Sequence, residues 1–217
     1  MEKENLQMIN EDIKRNAEFG DPVAMRELSR EYLREAKECG MNGNLDEDLI
    51  EKALDWMQEA AMKGDAEAQH EMADVVRNEE DYELSFELEK NSAEQGFIPA
   101  YYNLAVHYRD GIGTEVNPEM AFYWYNKSAE SGNVESKNSL GICYLLGSGT
   151  EKDFEKAFFW INQAANEGSA NAKMRLGCAY AEGYMRLKVD EKKGWALIQE
   201  AADLGDQKAI ELIKQKK

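Results

Sequence analysis

Apolar residues recur along the chain at helical spacing, in stripes that repeatedly break at glycine. Leu6, Ile9, Ile13 and Ala17 lie on one face of a predicted helix over residues 4–18, which Phe19-Gly20 ends. Asp21-Pro22 then forms a helix start with proline in the first turn. Ala24, Leu28 and Tyr32 stripe the following helix. After a polar, glycine-containing insertion at 38–46, a second helix carries Ile50, Ala53, Leu54, Trp56, Met57, Ala60 and Ala61 and closes at Gly64. The same two-helix pattern restarts at Asp65, Phe97, Asn133 and Ser169, and closes at Gly96, Gly132, Gly168 and Gly205. A final helix, 207–216, has a lysine-rich end. No long alternating β-branched run is present, which argues against sheets.

Aligned on their closing glycines, the units 21–64, 65–96, 97–132, 133–168 and 169–205 are 44, 32, 36, 36 and 37 residues long. Such periods predict an all-α solenoid, in which each helix pair buries its apolar face only by stacking on its neighbours. The whole chain, 1–217, reads as one repeat domain with capping helices at 1–20 and 206–217. Small pairs at Ala60-Ala61, Ser92-Ala93, Ser128-Ala129, Ala164-Ala165 and Ala201-Ala202 allow close helix approach. Trp56, Trp124, Trp160 and Trp195 are expected at equivalent places, filling space between helix layers.

The 217 residues carry a formal charge of -17, which disfavours nucleic acid as a direct ligand because phosphate binding needs a basic surface. Residues 65–96 hold 11 acidic against 2 basic groups, whereas the last fifth is mildly basic. No stretch approaches the roughly 18 apolar residues of a membrane helix. The charged start has no apolar segment behind it, so no secretory signal is expected. Three cysteines without metal-type spacing fit a reducing, cytoplasmic setting.

Chemistry is sparse. His70 and His107 read as surface histidines, and Cys143 and Cys178 as packed thiols, so neither a metal nor a cofactor is expected. Gly111-Ile112-Gly113 and Gly147-Ser148-Gly149 lack the lysine of a phosphate loop and instead suit backbone conformations that other residues resist. The carboxylates Asp74, Glu79, Glu80, Asp81 and Glu83 are too many to single out a catalytic pair. They read as a solvated face or as a docking surface for a basic protein.

The pattern resembles Sel1-like repeats, relatives of the tetratricopeptide repeat. Two units carry the resemblance: Leu104…Tyr108-x-x-Gly111-x-Gly113…Ala121-x-x-Trp124…Ser128-Ala129…Gly132, and Leu140-Gly141…Tyr144-x-x-Gly147-x-Gly149…Ala157-x-x-Trp160…Ala164-Ala165…Gly168. It covers residues 21–205. The second unit departs from it, without turn glycines and with Phe86 read at its tryptophan position, and the fifth replaces one turn glycine. The resemblance implies a right-handed α/α superhelix of about five repeats acting as a non-enzymatic scaffold or adaptor. It brings no catalytic residue.

In superhelices of this type the first helices line a concave groove. Helical spacing then points Arg26, Arg30, Leu33, His70, Asp74 and Arg77 inward at a polar N-terminal end. Tyr102, Val106, Arg109, Asn138, Ile142, Leu145, Met174 and Cys178 form the expected partner-binding strip, with Ala181 at its end. A peptide or protein partner is expected there. The alternative is an inhibitor or immunity-type protein that neutralises a basic partner, such as a nuclease or another toxin, through the acidic surface of 65–96.

Overall fold

A computed structural model describes residues 11–39 and 46–216. Leu6 and Ile9 of the expected capping helix, and positions 40–45 of the insertion, lie outside these residues. Helix α1 covers residues 11–18. Five helix pairs follow: α2 (Pro22–Cys39) with α3 (Glu47–Met62), α4 (Ala66–Asn78) with α5 (Tyr82–Glu94), and α6 (Ile98–Asp110) with α7 (Pro118–Glu130). Next come α8 (Val134–Leu146) with α9 (Phe154–Asn166), α10 (Ala170–Glu182) with α11 (Glu191–Asp203), and a terminal α12 (Gln207–Lys216). No strand occurs among the described residues, and the chain is an all-α helical repeat protein. The described residues fall into two compact units, the second beginning at Tyr101.

Helix starts are set by short polar side chains that satisfy otherwise unpaired backbone N–H groups. Asp65 accepts from the Ala68 N–H at 2.8 Å, Asn117 from Met120 at 3.0 Å, and Asn133 from Ser136 at 2.8 Å. Each such cap contributes about 1 kcal/mol. In the first compact unit the core joins Met25, Leu28, Met57, Ala60, Met72 and Val76. In the second, one cluster centres on Ile161, Ala164 and Leu176, and another on Met174, Ile198 and Ala209. Serines at the small positions do not leave a buried hydroxyl unpaired, since Ser92 donates to the Ala66 carbonyl at 2.5 Å and Ser128 accepts from the Ser136 hydroxyl at 2.7 Å.

Two glycine placements set the repeat geometry. Gly149 has φ +68°, and a Cβ there would stand 2.0 Å from the Pro118 carbonyl oxygen, so the turn after α8 lies directly on the start of α7. Gly177 and Gly194 face each other across α10 and α11. A Cβ on Gly177 would meet the Gly194 carbonyl at 2.8 Å, and one on Gly194 would meet that of Gly177 at 2.6 Å.

The tryptophan expectation needs one correction. Trp56, Trp124 and Trp160 each precede their closing glycine by eight residues, but Trp195 precedes Gly205 by ten. It therefore shares its place with Phe86, Phe122 and Phe158, while Leu88 and Leu197 stand where the other repeats have tryptophan. Trp195 packs against the terminal cluster with the Lys216 ammonium over its ring. An aromatic residue moved by two positions on a helix faces a different neighbour.

Candidate protein-binding surface

In the second compact unit, α6 carries Tyr102, Val106 and Arg109, α8 carries Asn138, Ile142 and Leu145, and α10 carries Met174 and Cys178. Arg109 and Ile142 come together at one small pocket of about 240 Å3, shared with Val116, Tyr125, Cys143 and Leu146. The pocket is bounded by the end of α6, the start of α7 and one face of α8.

Arg109 is held in place at this pocket. Its Nη1 donates to the Tyr125 hydroxyl at 3.0 Å, and its Nε donates to Asp110 at 2.7 Å. The Asp110 carboxylate raises the guanidinium pKa and is itself held below the ordinary aspartate range by Arg109. The Tyr125 side chain is buried, which pushes its hydroxyl pKa up, and its ring lies 6.0 Å from that of Tyr102. Two apolar side chains stand open beside the fixed guanidinium, Leu146 at 61% exposure and Val116 at 60%.

The other expected strip residues are placed differently. Asn138 and Met174, 4% and 8% exposed, are buried rather than projecting from the surface. The Asn138 Oδ1 has no hydrogen-bond partner in the structure. Leu145 packs against the cluster around Ile161, and Cys178 against that around Met174, with 3.8 Å between the Cys178 Sγ and the Met174 Sδ. Tyr102, Val106 and Ile142 are half-buried. The adjacent leucines of α8 thus take opposite roles: Leu145 faces the core and Leu146 faces out. Counting by a fixed offset from the core leucine stopped one residue short of Leu146. Val116 was missed because it lies in the turn, where helical counting does not reach. A Leu-Leu-Gly helix end, with room for only one of two leucines inside, was the available signal.

In the first compact unit the polar positions expected to face a partner are engaged within the chain. Arg26 pairs with Asp65 at 2.8 Å and with Glu67 at 2.6 Å, Arg30 with Glu67 at 2.8 Å and also with Glu71, and Arg77 with Asp74 at 2.6 Å. Hydrogen bonding to Arg30 lowers the Glu67 pKa, and hydrogen bonding to Glu67 raises that of Arg30. Asp81 caps α5, accepting from the Leu84 N–H at 3.1 Å. Glu79, Glu80 and Glu83 are exposed, and Glu80 adopts φ +66° in a turn of three residues.

Neither histidine is the surface residue expected. His107 is 2% exposed, with Nδ1 2.7 Å from the Ile112 carbonyl, and His70 is largely covered and faces the buried Glu89. Among the described residues no group of three or more His, Cys, Asp or Glu is arranged to hold a metal ion. Cys143 is a buried thiol, and burial pushes its pKa up to about 11. No helix among the described residues is long and apolar enough to cross a membrane.

The sequence pattern of the Sel1 repeat matches residues 22–65, 98–133, 134–169 and 170–206, passing over the segment that contains α4 and α5. No curated protein matches the chain in sequence. Among solved structures, the chain is similar to a Sel1 repeat protein from Oxalobacter formigenes. That match has 27% identity and a TM-score of 0.69, over 90% of this chain and 78% of the other. It is also similar to c5321, a protective antigen present in uropathogenic Escherichia coli strains and displaying an SLR fold, with 26% identity and a TM-score of 0.74. That match covers 91% of this chain and 41% of the antigen, so the chain spans about two fifths of the antigen's length. The chain belongs to the Sel1 repeat family, whose members generally mediate protein–protein interaction and whose fold is typically a non-catalytic scaffold.

Proposed function

We propose that the protein is a non-enzymatic adaptor that captures a peptide or protein partner on the α6–α8 face of its second compact unit. The observation that carries this reading is the Arg109 guanidinium, held by Tyr125 and Asp110, beside a pocket with Leu146 and Val116 open to solvent. An arginine whose position is already set loses little side-chain freedom on binding, and apolar contacts around it exclude water. Tyr102, Val106, Arg109, Ile142 and Leu146 are the contact residues. Asn138, Leu145, Met174 and Cys178 are left out of the contact set, because Asn138 and Met174 are buried and Leu145 and Cys178 pack on core clusters. Replacing Tyr102 and Ile142 with glutamate should abolish capture of the partner from the native cell with unchanged helical content; capture that survives both changes would remove this reading.

A second reading is supported by the exposed carboxylates Glu79, Glu80 and Glu83 within the strongly acidic segment 65–96. Here the chain neutralises a basic protein, as an inhibitor or immunity-type protein does. Association would then be fast at low salt and weaken strongly as salt rises. Charge reversal at Glu79, Glu80 and Glu83 should weaken the complex in the same way, and salt-independent binding counts against it.

A further inference from the structure

Three features of the second repeat meet at one place, the last of them, a leucine at the tryptophan position, shared with the fifth. The α4–α5 turn has three residues, 79–81, where the α6–α7 and α8–α9 turns have seven, 111–117 and 147–153. Counting from the helix starts, Val76 stands where the later repeats have Tyr108, Tyr144 and Tyr180. Counting from the closing glycine, Leu88 stands where Trp124 and Trp160 stand. In the later repeats this space is filled. The rings of Phe122 and Tyr144 meet at 5.3 Å, those of Phe158 and Tyr180 at 6.4 Å, and the turn carrying Gly149 lies against Pro118. Between α3 and α5 the filling is gone, and a groove of about 650 Å3 opens over α4.

The groove has a defined length and polarity. Leu54, Gln58, Ala61 and Met62 line it from α3, and Leu84, Leu88 and Asn91 from α5. These positions run along each wall for two helical turns, about 12 Å. Met72 and Val76 are among its floor residues, while Leu54, Met62 and Leu84 are exposed at its edges. Glu79 and Asp81 bound the end at the α4–α5 turn, with Glu80 and Glu83 exposed beside them in sequence. A trough two turns long, with Met62, Met72, Val76, Leu84 and Leu88 along it and the amides of Gln58, Gln69 and Asn91 between them, suits one amphipathic helix with its apolar face read at i, i+4 and i+7. The carboxylates at one end select cations there.

The geometry points to the α3–α5 groove as the receptor for a single amphipathic helix of a partner protein, with apolar anchors over two turns and Lys or Arg against the α4–α5 turn. This rests on the basic-partner reading above and gives that partner a shape. It is independent of the α6–α8 face.

The test uses the full chain and a fluorescein-labelled synthetic helix of about 14 residues, with Leu at i, i+4 and i+7 and Lys elsewhere, read by polarisation. A second peptide has serine in place of each leucine. The leucine peptide should bind at least about tenfold more tightly than the serine peptide. Met62→Glu with Leu84→Glu, both at exposed positions, should remove that difference while the circular dichroism spectrum is retained. Refilling the groove, by Val76→Tyr, Leu88→Trp and the seven-residue turn 147–153 grafted over 79–81, should do the same. Equal binding of both peptides, or binding indifferent to the Met62 and Leu84 changes, overturns the groove even if charge reversal at Glu79 and Glu83 weakens it. Leucine-peptide binding that ignores both salt and those charge reversals overturns the basic-partner reading instead. Self-association of the chain abolished by Leu84→Glu would assign the groove to a second copy and overturn the proposal.

Discussion

The Nδ1 of His70 lies 3.0 Å from the Oε2 of Glu89, whose side chain has no exposed surface. Glu89 stands where the other repeats place Met57, Tyr125, Ile161 and Ile198, all buried. One repeat thus keeps a carboxylate at a core position and supplies a histidine on the facing helix. The hydrogen bond to Glu89 raises the His70 pKa above its ordinary 6.5, against the opposing effect of burial, with Asp74 and Glu71 adding in the same sense. A raised folded-state pKa means the contribution is fully present below about 6.5 and fades as pH rises through the raised value. His70→Gln should therefore cost about 1–2 kcal/mol near pH 6 and progressively less at alkaline pH. Urea unfolding of both forms across this range checks it, together with an NMR titration of the His70 ring. A midpoint at or below 6.5 contradicts the pairing.

Tyr125 affects the proposed contact face through Arg109. Tyr125→Phe removes the hydroxyl that receives the Arg109 Nη1 while keeping a buried ring. The loss of stability should be about 1 kcal/mol, one hydrogen bond. Partner affinity should fall several-fold because Arg109 is less well placed. Parallel thermal melts and binding isotherms separate the two effects. An affinity as unaffected as that of a change at the exposed Glu155, Glu155→Ala, would show that Arg109 has no part in capture.

Gly149 is under two constraints, a positive φ and the Pro118 carbonyl. Gly149→Ala should destabilise by about 2–4 kcal/mol, combining overpacking with a disfavoured backbone region. Gly168→Ala shares the positive φ, at +100°, but would meet nothing within 4 Å. It should cost less, about 1 kcal/mol. Chemical denaturation of both variants tests whether the turn packs on α7, and equal losses would contradict that packing.

Cys143 should be chemically quiet. With its thiol buried and its pKa near 11, little thiolate exists at pH 8. Iodoacetamide followed by peptide mass mapping should leave Cys143 unmodified in the native protein and label it fully in denaturant.

Much of this architecture was legible in the chain. The helix stripes, the closing glycines and the small pairs mark the repeat because each reports a local requirement: an apolar face, a left-handed turn, a close approach. What stayed hidden depended on pairs of neighbours. Nothing distinguishes Leu145 from Leu146 until α9 and α10 are packed against one of them. Asn138 and Met174 were expected to project from the surface, yet both are buried, and Met174 packs with Ile198 and Ala209. Glu89 is one glutamate among eleven acidic residues in its repeat, and only its alignment with Met57 and Ile161 sets it apart. The shortened α4–α5 turn was visible as a missing glycine pair. Its consequence, the groove over Val76, depends on side chains that are small only in comparison with Tyr144 and Trp160.

Site-specific crosslinking decides whether a partner is captured on the α6–α8 face. A photoreactive amino acid would be placed in turn at Val106, Ile142 and Leu146, and at the exposed Lys152 and Glu155 as controls. Capture on this face gives one adduct band of the same mass from the first three positions, lost when Arg109 is replaced by glutamate, and no such band from the controls. Adducts from Lys152 and Glu155 with none from Val106, Ile142 or Leu146 would contradict it.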